Sequence, residues 1–370
     1  MAVRRSCRSA GARRATLAAR HREALRANLP AVRSFGSDNH SGVPAEILAA
    51  LAAANVDHAP SYGEDEWTAR AEQCFRDQLG EQARAFLVFN GTAANVLALR
   101  AACQPWEGVI CTANAHIHVH EAGAPERIAG VKLHPLASAD GKLRPEQIDP
   151  LLHGAGDEHA VQMRLVSLTQ ATELGTVYTL AELRALTDHA HELGLLVHLD
   201  GARLANAAAA LGVPLRALTT DSGIDLLSFG GTKLGLLGAE AVVLLRPELA
   251  PDFRYLRMQT GQLASKGRFL AAQFLALFED DLWLSLARHA NAMAARLGDG
   301  VRGLDGVTLT QPVESNAVFA TLPRAAIAPL QAQWPFYVWD EPTCEVRWLC
   351  SWDTKAEEVD AFVAAIAAAV

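Results

Sequence analysis

Apolar and polar positions fall into blocks along most of the chain, and the blocks switch between two periods. Short continuous apolar runs at 85–89, 109–112, near 131–133, 165–169 and 195–199 read as strands buried on both faces. Segments of helical spacing lie between them. Ile47, Leu48 and Leu51 follow Pro44; an amphipathic stretch follows the Tyr62-Gly63 turn and closes at Gly80; another begins near Thr92; a fourth covers 180–193 and stops at Gly194. Strand-helix repetition of this kind predicts parallel strands with right-handed crossovers, and ligands in such sheets sit at the carboxyl ends of strands. Asn90, Gln170, Asp200 and Lys233 fall at those ends.

Beyond residue 249 the pattern changes. A turn leads into one long helical region at 269–297, followed by strands at 306–310, 317–322 and 345–350. A closing helix at 355–369 is entered through cap-like Asp353 and Thr354. The expected fold is α/β: a large domain at 34–280, with a mostly parallel sheet flanked by helices, and a smaller α+β domain at 281–370. Neither internal repeats nor a low-complexity linker is evident.

Charge changes this picture at one end. Of the 33 basic and 41 acidic residues, nine arginines and one glutamate lie in 1–34, so the rest carries 24 basic against 40 acidic groups, a net of -16. A body that acidic repels nucleic acid and anionic lipid, so neither is an expected partner. Residues 1–33 lack the apolar core of a secretory signal and are expected to be a disordered extension or sequence upstream of the true start, with an organelle transit peptide as the alternative. Half of the 370 residues are hydrophobic, but no run approaches the length needed to span a bilayer. Cys7, Cys74, Cys103, Cys111, Cys344 and Cys350 show no CxxC spacing, which favours free thiols in a reducing cytosol and a cytoplasmic protein.

The chemistry concentrates in 197–238. One apolar run stops at Asp200 and a second stops at Lys233, the latter set among SFGGT and LGLLG. An acid and a lysine at the ends of neighbouring strands suit pyridoxal 5'-phosphate, whose aldehyde bonds the amine while the acid keeps the pyridine nitrogen protonated. An uncompensated ammonium among such small apolar neighbours is costly, which argues against an idle lysine. Gly91 and Thr92, between a strand and a helix, offer a phosphate seat. His116, His118 and His120 alternate and would share one face of an extended strand. No further ligand stands at a convincing spacing, so no metal is expected, and one histidine stacked on an aromatic cofactor is favoured.

These residues sit in ordered motifs: SDN at 37–39, YGED at 62–65, FNGTAAN at 89–95, His116 followed by EAGAPE, SLTQATELG, HLDGARLANA, SFGGTKLGLLG and TGQLASK. Together they resemble the low-specificity threonine aldolases, within the aspartate-aminotransferase-like (fold-type I) pyridoxal-phosphate enzymes, from about residue 34 to the C-terminus. The resemblance implies a carbon-carbon lyase that cleaves L-β-hydroxy-α-amino acids (L-threonine, L-allo-threonine or phenylserine) to glycine and an aldehyde. It implies Lys233 as the Schiff-base lysine, Asp200 as the acid under the pyridine nitrogen, and His116 on the cofactor ring. Gly91, Thr92 and Lys266 would take the phosphate. Ser37, Arg203 and Arg347 would hold the substrate carboxylate, with Arg203 also near the cofactor and Tyr62 near the substrate. The hydroxyl base is left open among His116, His159 and a water. A homodimer or homotetramer with shared sites is also implied. Leu234, where relatives commonly have Asn, and the HIHVHEAG segment depart from the family pattern beside the cofactor. Another fold-type I reaction, or a catalytically silent cofactor-binding protein, is the alternative reading.

Overall fold

The computed structural model describes residues 33–249 and 251–370, so the expectation for 1–32 lies outside the described residues. Seven strands make the main sheet: β1 (Arg84–Val88), β2 (Glu107–Thr112), β3 (Lys132–Leu136), β4 (Gln162–Thr169), β5 (Leu196–Gly201), β6 (Leu226–Phe229) and β7 (Glu240–Leu244). Their order is β1-β7-β6-β5-β4-β2-β3. β7 runs antiparallel to both its neighbours, and the remaining pairings are parallel. Every residue of β5 is buried, as a strand covered on both faces requires. The register sets Thr169, Asp200 and Ser228 side by side across β4, β5 and β6, at the carboxyl edge.

That edge is held from behind. Phe229, ending β6, packs against Phe75, Phe274 and Phe278 at centroid distances of 5.4, 6.1 and 5.8 Å. Gly230 and Gly231 then turn the chain so tightly that a Cβ on either would lie 2.5 Å from Ala202 O or 2.3 Å from Ala239 O. Only glycine permits this approach, and it brings Lys233 beside the loop that follows Asp200.

A second sheet, β10-β11-β9-β8, comprises β8 (Thr308–Leu309), β9 (Ala317–Thr321), β10 (Tyr337–Asp340) and β11 (Glu345–Leu349), all antiparallel. Its core gathers Trp348, Phe336, Phe362 and Phe35. Phe35–Val370 pack as one unit. Cys74, Cys103, Cys111, Cys344 and Cys350 are free thiols. Among the described residues no helix is long and apolar enough to cross a membrane.

Several local expectations are corrected. His116–Val119 form one helical turn, not a strand: His118 and Val119 N–H donate to Ala115 O and His120 N–H to His116 O, so the segment satisfies its amides locally. His116 and His120 are therefore helical i, i+4 neighbours. The single long helix is two, Arg268–Phe278 and Leu282–Val301, broken where Asp280 and Asp281 adopt φ of 48° and 53°. Aspartate tolerates the left-handed region, and three successive acids suit the start of the second helix. The helix Arg324–Gln331 and the edge strand β10 had no sequence-based counterpart. Thr354 does not cap the last helix; its hydroxyl accepts the Ser351 N–H and tightens the preceding turn.

Candidate active site

A cleft opens at the carboxyl edge of β4–β6, in two adjoining parts of about 520 and 610 Å³ that share Asn39, His116, Glu173, Arg203 and Lys233. Lys233 stands where they meet. Burial and the Arg203 guanidinium hold its amine below the usual lysine value, against the opposing pull of Asp38, Asp200 and Glu240. The carboxylate of Glu240 accepts the Gly231 N–H at 2.7 Å, pinning the turn that carries the lysine.

Asp200 ends β5. Its Oδ1 accepts the Ala202 N–H at 3.0 Å and its Oδ2 accepts Asn95 Nδ2 at 2.8 Å. Burial alone would raise its pKa, but Lys233, His116 and the Asn95 hydrogen bond bring it below the ordinary aspartate value, so it stays charged. Beneath it, His198 lies between the hydroxyls of Ser167 (2.9 Å) and Ser228 (3.0 Å), and burial pushes it down to about 4, leaving a neutral ring.

Asn95 donates its other amide hydrogen to Glu121 Oε1 at 2.9 Å, and the same oxygen lies 2.8 Å from His116 Nδ1. Asp200, Asn95, Glu121 and His116 thus form one hydrogen-bonded chain along a wall of the cleft. Glu173 Oε1 accepts both the His116 N–H and the Thr169 hydroxyl at 2.8 Å, and burial followed by Asp200 raises the Glu173 pKa.

Arg203 makes a bidentate pair with Asp38, Nε to Oδ2 at 2.7 Å and Nη2 to Oδ1 at 3.0 Å. Asn316 Nδ2 donates to the same carboxylate at 3.2 Å. Arg347 reaches the cleft from β11, its guanidinium 4.9 Å from the Trp339 ring centroid. Burial and Arg203 push Arg347 down to about 10. Ser37 lines the same part of the cleft, and its Oγ accepts the Asn39 N–H at 3.1 Å.

Gly91 and Thr92 open a 12-residue helix whose N-cap, Asn90, accepts the Ala93 N–H at 2.9 Å. Both line the cleft, so the positive end of that helix faces it. Lys233, Asp200, His116, Arg203, Gly91, Thr92, Ser37 and Arg347 are accordingly brought together.

Three expected residues are not. His159 sits before the amino end of β4, with its N–H donated to Asp157 Oδ1 in a local turn. An eight-residue strand, roughly 25 Å long, separates it from the carboxyl edge, so within one chain it cannot serve as the hydroxyl base. Tyr62 and Lys266 lie outside the cleft of their own chain, in adjoining loops joined by the Tyr62 N–H to Ser265 O bond of 3.1 Å. Leu234 turns into the hydrophobic core, so the departure noted there does not alter the cleft surface.

Asp38, Asn95, Glu121, Glu173 and Glu240 were missed. Glu121 could have been suspected from its place five residues after His116, and Asp38 from the SDN motif that supplied Ser37.

The donor set fits pyridoxal phosphate: a depressed amine, a carboxylate kept charged, a helix start for an anion, and buried polar atoms without protein partners at Arg347 Nε and Glu173 Oε2. Fold and cleft together define a pyridoxal-phosphate-dependent enzyme of the aspartate-aminotransferase-like architecture. Residues 34–324 match the β-eliminating lyase family. The low specificity L-threonine aldolase of Pseudomonas aeruginosa is 46% identical over 327 residues, covering 88% of this chain and 94% of that protein. The structure of Leishmania major threonine aldolase superposes with a TM-score of 0.85 at 35% identity, over 90% of this chain and 98% of that one. Aspartate aminotransferase from Thermus thermophilus, at 15% identity and a TM-score of 0.68 over 96% of each chain, shares the fold. The chain belongs to the low-specificity L-threonine aldolase family, and it is a pyridoxal-phosphate-dependent lyase.

Proposed function

We infer that the chain cleaves L-threonine, L-allo-threonine and related L-β-hydroxy-α-amino acids to glycine and an aldehyde. The observation that carries this reading is the meeting of Lys233, Arg203 and His116 at the junction of the two parts of the cleft. Bound pyridoxal phosphate supplies an electrophilic carbon for the amino group and a ring that takes up the electron pair of the broken bond.

The chain's own residues do the rest. Arg203, Arg347 and Ser37 would hold the substrate carboxylate and so fix the orientation of the bonds at Cα. Asp200 would hold the proton on the pyridine nitrogen, and the first turn of Gly91–Ala102 would take the phosphate. His116, or a water it holds, removes the hydroxyl proton as the Cα–Cβ bond breaks and the carbonyl forms; a proton returned to Cα completes glycine. Lys233, its amine depressed, exchanges with the substrate amino group. His116 depends on Glu121 for its orientation. Glu121→Gln is therefore expected to lower kcat for L-threonine on the order of 10²-fold with little change in KM, read by steady-state glycine formation.

The reading extends to a cytoplasmic homodimer or homotetramer, supported by the free thiols and by the place of Tyr62 and Lys266 outside the cleft of this chain. It also extends to a division into 34–280 and 281–370, supported by the helix break at Asp280 and Asp281. The deciding experiment incubates the protein with L-threonine, L-allo-threonine and L-phenylserine and measures glycine and aldehyde. Equimolar glycine and aldehyde are expected. An oxo acid in place of the aldehyde would move the assignment to a transaminase.

A further inference from the structure

Glycine formation needs a group that hands a proton to Cα once the aldehyde has left, and the cleft contains one acid with an oxygen to spare. Three carboxyl groups line it: Glu173, Asp200 and Glu240. Asp200 uses both oxygens, on the Ala202 N–H and the Asn95 amide. Glu240 also uses both, Oε2 on the Gly231 N–H and Oε1 on the Thr232 N–H at 3.3 Å. Glu173 differs. Its Oε1 takes two donors, the His116 N–H and the Thr169 hydroxyl, while its buried Oε2 has no protein partner. Two donors on one oxygen fix the carboxyl group and leave Oε2 to carry the proton when the group is neutral. Among the described residues no lysine or arginine forms an ion pair with it. The charged and titratable groups around it are Asp200, Arg203, Lys233 and His116 in the cleft and, buried nearby, Tyr178 and Cys111. Burial, then the Asp200 charge, holds the Glu173 carboxyl above the ordinary glutamate value of 4.5, against the hydrogen bonds that favour its anion. Glu173 lines both parts of the cleft, as do Lys233 and Arg203, so it stands at the junction where the amino and carboxylate groups on a substrate Cα are received.

Resting on the aldolase reading above, we propose that Glu173 is the proton donor to Cα. Its Oε2–H bond breaks, and the electron pair of the severed Cα–Cβ bond becomes the new Cα–H bond. The electrons of the O–H bond stay on Oε2, leaving a carboxylate that the Thr169 hydroxyl and the His116 N–H stabilise. The proton that His116, or the water it holds, took from the hydroxyl passes through solvent in the cleft to Oε2 and restores the acid. The count closes with no further reactant: one proton leaves the hydroxyl and one arrives on Cα. Lys233 is left for exchange with the amino group and Asp200 for the ring nitrogen. In the reverse direction the Glu173 carboxylate takes a proton from Cα of glycine. Glycine alone is therefore a probe of this step, because exchange of its α-hydrogen with solvent needs no aldehyde.

The holoenzyme is incubated with glycine in deuterium oxide, and loss of the Cα proton signal is followed by NMR. Glu173→Gln keeps an acceptor for the His116 N–H and the Thr169 hydroxyl and removes the acid. It is expected to slow exchange at least about 10²-fold, while glycine affinity, measured by calorimetry, stays within about 3-fold of wild type. Exchange begins with the carboxylate, so the wild-type rate is expected to fall as pH drops through an ionisation above the ordinary glutamate value, and the variant is expected to lose that limb. Exchange in the variant within about 3-fold of wild type, or slowed exchange that keeps the wild-type limb, overturns the proposal. Should Glu173→Gln not fold, Glu173→Asp decides: an acid set back by one methylene is expected to exchange about 10-fold more slowly with the limb retained, and a wild-type rate overturns the proposal. Glycine release from L-threonine is measured on the same wild-type preparation. Glycine release with exchange independent of Glu173 sinks the proton donor alone, whereas Glu173-dependent exchange without glycine release sinks the aldolase reading alone.

Discussion

Lys233→Ala is expected to reduce glycine formation from L-threonine by at least about 10³-fold, a rise of roughly 4 kcal/mol in the barrier. The same variant loses the visible absorption of lysine-bound cofactor. The size follows from how the lysine is held. Its amine lies in the cleft under the opposing influence of Arg203 and of Asp38, Asp200 and Glu240, and burial together with Arg203 makes the neutral form unusually accessible. A nucleophilic amine at neutral pH is what exchange with a substrate amino group requires. The fold does not depend on it, because burial already disfavours the ammonium. Thermal unfolding of the variant should therefore stay close to that of the wild type, and activity within 10-fold of wild type in a folded variant would remove Lys233 from the reaction.

The architecture was legible because strands buried on both faces cannot hide: 165–169 and 195–199 are continuous apolar runs, and their carboxyl ends coincide with Thr169 and Asp200 in the sheet register. Lys233 and Asp200 were legible for a related reason, since a charged residue ending an apolar run needs an explanation. The HIHVHEAG segment was misread because three alternating histidines satisfy a period of two as well as one helical turn, and four residues are too few for the pattern to decide. The long helix was read through its break because the two halves keep helical spacing on either side of Glu279–Asp281. β10 escaped notice as a short, half-exposed edge strand framed by Pro335 and Pro342.

The supporting residues of the site were the least legible. Asn95 is 105 residues from Asp200 in sequence and Asp38 is 165 from Arg203, so no local spacing connects either pair. Their roles exist only once the sheet has brought the chain ends of β1, β2 and β5 together. The electrostatics of the site are therefore a property of the tertiary fold. The amine, the acid and the arginine are visible in sequence; the carboxylates and amides that set their charge are not.

Asp38→Asn is the sharpest probe of that hidden layer. Asp38 is buried, pairs with Arg203 through both oxygens, and accepts a further hydrogen bond from Asn316. Burial would raise its pKa, but Arg203 and Lys233 carry it below the ordinary aspartate value of 3.8. Removing the charge leaves a buried guanidinium facing Lys233 without compensation, a loss expected to cost roughly 3 kcal/mol of stability at pH 7. The pH dependence has a definite sign. A carboxylate whose folded pKa is depressed contributes its full stability above the unfolded value and loses it as pH falls through the folded value. The stability gap between wild type and variant should thus be constant near neutrality, begin to narrow below about pH 4 and go on narrowing as pH falls through the folded value. Denaturant unfolding of both proteins at pH 7 and in steps down to pH 3 measures it. The freed guanidinium also loses its fixed aim at the substrate carboxylate, so KM for L-threonine should rise by about 10-fold or more, with the larger share of the loss in kcat/KM. A gap that persists unchanged at pH 3 would mean that Asp38 acts through packing, and the charge balance around Lys233 would have to be set by Asp200 and Glu240 alone.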